Sequence, residues 1–114
     1  DFAVIREALD RGVQAIMKAG AFFASTIMKD IKAVAAGAEP FLELMGIVAG
    51  GWQLARGAMA AQAKINAGET DSFYKAKIAT TRFYADHVLS RADGLAYTVT
   101  NGAAGTLALA DDDF

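Results

Sequence analysis

The sequence predicts an all-α fold, an up-down helical bundle of about four main helices. Three observations carry that prediction. Apolar residues recur at steps of three and four along most of the chain, the spacing of one helix face. Alanine is abundant and proline occurs once, at Pro40, a balance that favours closely packed helices. Nothing alternates with period two for long, so no strand pattern competes.

The first helix is read from Phe2, Ile5, Leu9, Val13, Ile16 and Gly20, which form one stripe. Arg6, Glu7, Asp10, Arg11, Gln14 and Lys18 fall off it and are expected to face water. Gly20 is the expected stop. Phe23, Ile27, Met28, Ile31 and Val34 continue a helical spacing, with Ser25 or Thr26 placed to cap a short helix. The run A-A-G-A-E-P then punctuates the pattern. Glu39, preceding proline, is expected outside the helical region, and Pro40 suits the first position of the next helix.

That second main helix is expected over residues 40–67, with Gly68 as its exit. Phe41, Leu44, Met45, Val48, Trp52, Ala55 and Met59 make a wide apolar face, the pattern of a helix buried on several sides. Gly46, Gly50, Gly51 and Gly57 each cost about 1 kcal/mol against alanine in a helix interior. They are therefore expected to admit close approach by a neighbour. Gly46-x-x-x-Gly50 has the spacing of a membrane dimerisation motif, read here as tight packing. The most apolar run, residues 41–55, is shorter than the ~20 residues a span needs and contains Glu43, so no membrane span is expected.

Thr70, Asp71 and Ser72 are all competent caps for a third helix. Its main stripe is Phe73, Ala76, Thr80, Phe83, Tyr84, His87 and Val88, with Ile78, Ala85 and Leu89 beside it. Lys75, Lys77, Arg82 and Asp86 are left for the wet side. Residues 90–93 read as a break, with Asp93 as cap of a fourth helix whose seam is Leu95, Ala96, Val99, Ala103 and Thr106. Asn101-Gly102 has turn character, but the spacing crosses it, so a continuous, weakened helix is expected.

A length of 114 residues suits a single domain, residues 1–114, able to bury about two-thirds of its unfolded surface. There is no cysteine, which rules out disulfides and thiolate chemistry and fits a cytoplasmic location. Net charge −2 and pI near 5.2 give no basic footprint for nucleic acid. The first residues show no basic segment followed by an apolar run. Asp1 opens directly into a helical pattern without methionine, as a cut fragment would. Asp111, Asp112, Asp113 and Phe114 read as a natural end.

His87 is the single histidine. Its neighbour Asp86 does not face it on a helix, and metal sites in helical bundles need several inward carboxylates and histidines. No metal-ligating, cofactor-binding or catalytic residue is therefore expected, and His87 reads as a packing or partly exposed residue. G-I-V-A-G-G and N-G-A-A-G lie in helical patterns, whereas the dinucleotide fingerprint follows a strand. Trp52, Phe73, Tyr74, Phe83, Tyr84 and Tyr97 are expected in the core. Lys64, Lys75, Lys77, Arg82 and Arg91 form a mildly basic region. It is either a solvated face or a contact for a phosphate-bearing ligand or an acidic partner. Lys77 and Arg82 are the residues to test, because both sit beside the aromatic stripe.

Three patches resemble one family. Pro40 to Ala61 reads P-F-L-E-L-M-G-I-V-A-G-G-W-Q-L-A-R-G-A-M-A-A. Phe41, Leu42, Gly46, Trp52, Ala55 and Arg56 stand where the family has its aromatic, leucine, glycine, second aromatic and alanine-arginine pair. Phe73 to Tyr84, F-Y-K-A-K-I-A-T-T-R-F-Y, is similar to the family's F-Y-x-A-K-x-x-x-A-R-F-Y helix, with Thr81 in place of the usual alanine. His87 to Arg91, H-V-L-S-R, follows, with Ser90 where proline is frequent. The family is the long acyl-CoA dehydrogenases, and the resemblance is to their appended C-terminal helical domain. It covers the chain from about Pro40 onward. It implies an all-α accessory domain of an FAD-dependent enzyme that inserts an α,β double bond into an acyl-CoA thioester. Catalytic carboxylate and flavin contacts would lie upstream, and FAD would belong to the parent enzyme. The domain would pack on the flavoprotein core of the parent chain and shape a homo-oligomer. The contrasting reading is an autonomous helical dimerisation or partner-binding module using Gly46, Gly50 and Trp52.

Overall fold

A computed structural model describes residues 1–114. It is all-α, with helices α1 (Phe2–Thr26), α2 (Ile31–Asn66), α3 (Ser72–His87), α4 (Ala92–Asn101) and a single turn, α5 (Ala103–Thr106). A 3₁₀ turn, Leu89–Arg91, joins α3 to α4, and another, Asp111–Asp113, lies near the C-terminus. The bundle class expected from the periodicity is the one observed. α2 is the spine: its 36 residues run for about 54 Å at 1.5 Å per residue, and α1, α3 and α4 all pack on it.

Two boundaries depart from the sequence reading. α1 does not stop at Gly20 but runs on to Thr26, so Ser25 and Thr26 end a helix rather than cap one. Nothing lies within 4 Å of where a Cβ at Gly20 would sit, and one glycine costs a 25-residue helix only about 1 kcal/mol. α2 starts at Ile31, not Pro40. Its cap is Asp30, whose carboxylate accepts the amide of Ala33 at 3.1 Å. Glu39 and Pro40 are therefore helical, with Pro40 buried inside α2. Gly37 is a contact instead of a break: a Cβ there would meet Phe23 Cε1 at 3.1 Å and the Val99 carbonyl at 3.2 Å. The Phe23 ring it admits packs on Phe41 with centroids 4.8 Å apart, and this tertiary contact outweighs the local breaker signal.

Gly68 ends α2 as expected, with φ +98°. The amide of Glu69 reaches the Lys64 carbonyl at 3.1 Å and that of Gly68 reaches Ile65 at 3.0 Å, the Schellman pattern that needs a left-handed residue. Of the three candidate caps for α3, Asp71 serves, accepting the Phe73 amide at 2.9 Å. Asp93 does not cap α4. It lies in the first turn, where a carboxylate suits the helix dipole, and Arg91 holds the cap position without a side-chain bond. At Gly102 the ladder is interrupted, yet the backbone stays right-handed (φ −75°, ψ −16°). The weakened helix expected across Asn101-Gly102 is thus split in two with its direction kept.

The core is thin. Of 114 residues 20 are buried, and Ala8, Ala15, Ala19, Ala33, Ala58, Ala61, Ala85, Ala92 and Ala96 are among them. Small residues form the seams. α1 buries Ile5, Ala8, Gly12, Ala15 and Ala19, and α3 buries Thr81 and Ala85. Leu44, Ile47, Val48, Leu89 and Val99 fill the centre. The predicted faces hold in part: Ile5, Leu44, Val48, Ala85, Leu89, Ala96 and Val99 are buried as expected. On α3 the stripe expected inside is largely outside: Phe73 is 63% exposed and Phe83 59% exposed, and Ala76, Thr80 and His87 are exposed with them. Met45, Trp52 and Met59 on α2, Val13 on α1 and Tyr97 on α4 are exposed too. Short side chains let helix axes approach closely; large ones are displaced to the flanks.

The result is an elongated slab, 65 × 29 × 15 Å with a radius of gyration of 18.4 Å. A compact chain of this length would have a radius of gyration of about 13 Å. α2 is long and apolar enough to cross a membrane, but 33% of its most apolar window is buried in the fold and Glu43 within it pairs with Arg91.

Candidate functional site

The largest surface feature is an open apolar groove between α1 and α2. Its upper half is a cleft of about 340 Å³ lined by Leu9, Val13, Ile16, Met45, Val48 and Trp52. Its lower half, about 290 Å³, is lined by Phe2, Leu9, Ala55 and Met59, with Arg6 at the edge. Leu9 is shared, so the two halves run together. The groove exists because Gly12 draws α1 against Val48: a Cβ at Gly12 would lie 2.9 Å from Val48 Cγ2. The larger side chains on either side of that seam are left facing each other across open space. Trp52, 53% exposed, carries Arg56 above its ring at 5.4 Å, a cation–π contact. Arg56 also donates to Gln53 Oε1 at 3.3 Å.

A second cleft, about 280 Å³, lies between the end of α2 and the start of α3. Lys64, Phe73, Tyr74 and Lys77 line it, with Gly57 and Ala61. Lys77 is half-buried; a Cβ at Gly57 would meet its Cε at 2.8 Å, so the stem lies flat on α2 and the ammonium reaches the cleft. Arg82 does not join it. Its guanidinium binds Asp1 and Asp86, each at 2.8 Å. Arg91 is tied to Glu43. The five-residue basic region is therefore divided: Lys64 and Lys77 share a cleft, Arg82 and Arg91 neutralise carboxylates, and Lys75 is exposed outside that cleft.

His87 stacks on Phe83 with centroids 4.2 Å apart and an interplanar angle of 19°, on the outer side of α3. It packs, as expected, but against an exposed ring rather than the core. No group of three or more histidine, aspartate or glutamate side chains is arranged to hold a metal ion. Tyr84 turns inward, its hydroxyl donating to the Ile47 carbonyl at 2.7 Å; burial pushes its pKa above the ordinary tyrosine value.

FAD does not fit the basic aromatic cleft. Its volume, about 280 Å³, falls just below the ~300–1,000 Å³ range of small-molecule sites, and a flavin dinucleotide is larger than a drug-sized ligand. No flavin step is assigned to residues of this chain. Sequence reading missed the groove because it placed Met45, Trp52 and Met59 in the core. The signal that locates it is the small-residue series Ala8, Gly12, Ala15 and Ala19, which marks the true packing seam of α1.

The fold and its surfaces define an all-α helical domain with open apolar faces. The chain belongs to the family described as Acetyl-CoA dehydrogenase C-terminal like, whose model matches residues 1–110. A 3-methylmercaptopropionyl-CoA dehydrogenase from Ruegeria pomeroyi is 39% identical over 89 residues, covering 72% of this chain and 15% of that relative. The chain thus spans about 15% of the length of the curated relative it matches. No solved structure matches it.

Proposed function

We propose that this chain is the accessory C-terminal domain of an FAD-dependent acyl-CoA dehydrogenase-like enzyme. In this reading it packs on the flavoprotein core of the parent chain and shapes the association of subunits in the cytoplasm. The carrying observation is the family match over residues 1–110. The exposed faces support the docking role. Trp52 and Met59, each more than half exposed, stand in the continuous apolar groove between α1 and α2, and contiguous apolar patches on a protein surface mark interaction sites. The substrate class is an acyl-CoA thioester, supported by the name of the Ruegeria pomeroyi relative. The parent reaction would move two hydrogens from the acyl α and β carbons to FAD, upstream of these residues.

The test is the visible spectrum of the full-length polypeptide before and after acyl-CoA. A flavin band that bleaches is the expected result. A protein still colourless after incubation with FAD would sink the reading. It would favour the alternative, an autonomous dimerisation module. One observation speaks for that module: Gly46 has nothing within 4 Å of a Cβ position and Trp52 is half exposed, so both are free for a second helix.

A further inference from the structure

We infer that the α1–α2 groove seats one amphipathic helix with an acidic flank, supplied by the catalytic portion of the same polypeptide. The inference rests on the accessory-domain reading and adds what occupies the groove.

The shape selects a helix. On α2 the groove is walled by Met45, Trp52 and Met59, spaced by seven residues; on α1 by Phe2, Leu9 and Ile16, also spaced by seven. Two rails of seven-residue repeat are what a third helix meets in a bundle. From Met45 to Met59 the wall runs about 21 Å, roughly four helical turns.

The charges select the flank. Arg6 edges the groove and Arg56 lies over Trp52. The ion pairs of the chain, Arg82 with Asp1 and Asp86 and Arg91 with Glu43, leave both out. Glu7, Asp10 and Asp93 line a different face. The occupant therefore carries carboxylates beside its apolar stripe. A second copy of this groove is a poor occupant: a two-fold contact presents the same patch from both sides, so Arg6 and Arg56 would meet their own kind.

The connection selects the source. Phe2 lines the lower end of the groove, so any polypeptide preceding Asp1 departs from its mouth. The relative has 85% of its length outside the matched segment, from the 15% that is covered. A segment tethered there acts at an effective concentration on the order of millimolar, above that of a free partner.

The experiment uses the full-length polypeptide carrying Val13→Cys. Val13 is 42% exposed in this chain, so an open groove would leave the thiol readily alkylated. Iodoacetamide modification is followed by mass spectrometry of the peptide containing position 13, native and in urea. More than tenfold slowing in the native protein is expected; less overturns the inference. A benzophenone maleimide on the same thiol should then cross-link to peptides upstream of Asp1 in a band of single-chain mass. Cross-links to a second copy's residues 1–114 overturn it. Met45→Cys gives the same readings from α2 if Val13→Cys fails to fold. Flavin bleaching by acyl-CoA separates the two levels. A bleaching enzyme with a fast-reacting position 13 sinks the groove inference alone, whereas a colourless protein sinks the domain reading beneath it.

Discussion

The Tyr84 hydroxyl donates to the Ile47 carbonyl at 2.7 Å, and it reaches that carbonyl because residue 50 has no side chain. A Cβ at Gly50 would lie 2.7 Å from the same hydroxyl oxygen and 3.4 Å from Cζ. The clash is thus confined to one atom. Gly50→Ala should gain about 1 kcal/mol of helix propensity but displace a bond worth about 0.5–1.5 kcal/mol and crowd a stiff ring. In the Tyr84→Phe background the oxygen is gone and the propensity gain remains. A double-mutant cycle by urea unfolding should show coupling of about 1 kcal/mol or more, with Gly50→Ala more favourable beside phenylalanine. Additivity within about 0.3 kcal/mol would show that the contact is not made.

Burial holds the Tyr84 pKa above its usual value, and the sign of the pH effect follows. The folded state keeps its phenolic proton to higher pH than the unfolded state. The stabilisation is complete below the ordinary tyrosine pKa of about 10 and is lost as pH rises through the folded value. Urea midpoints should fall above about pH 10, and Tyr84→Phe should make that decline shallower. An equal decline in both proteins would place its cause in other groups.

Helix identity was legible in this sequence, because periodicity survives even where the core face is misread. Gly68 was legible as the exit of α2, since it solves a local backbone problem visible in its residue type, whereas the cap of α3 was legible only as one of Thr70, Asp71 and Ser72. The faces were not. Phe73 and Phe83 look like core residues by hydropathy, yet Thr81 and Ala85 take the seam because small side chains permit closer axes. Pro40 and Gly37 looked like boundaries, since local preference carries no record of the Phe23 ring that holds that turn of α2. The groove was hidden by the same error, as Trp52 and Met59 were assigned to a core that they flank.

Glycines in one helix pair should respond oppositely to alanine. Gly46 has an empty surround, so Gly46→Ala should stabilise by up to about 1 kcal/mol. Gly12 is pressed on Val48, with a prospective Cβ–Cγ2 distance of 2.9 Å. Overpacking there costs about 1–3 kcal/mol and should exceed the same propensity gain, for a net loss of about 1 kcal/mol. Denaturant midpoints that move in the same direction for both would contradict a packing seam at Gly12.

Thr81 is buried at 2% exposure, with its hydroxyl 2.9 Å from the Lys77 carbonyl of its own helix and 3.2 Å from the Leu54 carbonyl of α2. One proton is shared between two acceptors, and each carbonyl lies inside a helix where an amide four residues on already serves it. Thr81→Val should therefore leave no orphaned acceptor. Its cost should stay near the low end of a hydrogen bond, about 0.5–1 kcal/mol. A loss above about 2 kcal/mol would mean that the hydroxyl meets an unsatisfied group.

Pro40 poses the converse question, whether a buried residue inside α2 is there for stability. Without an amide hydrogen it cannot serve the Ala36 carbonyl, and a proline in a helix interior is about 3 kcal/mol worse than alanine. Against that, its ring is buried, and truncation to alanine removes two methylenes at about 0.8 kcal/mol each. The backbone effect is larger by about 1 kcal/mol, so Pro40→Ala should stabilise the fold by that amount. Hydrogen exchange should show a newly protected amide at position 40. Destabilisation by the variant would mean that the ring's packing, or a bend it imposes on α2, outweighs the recovered hydrogen bond.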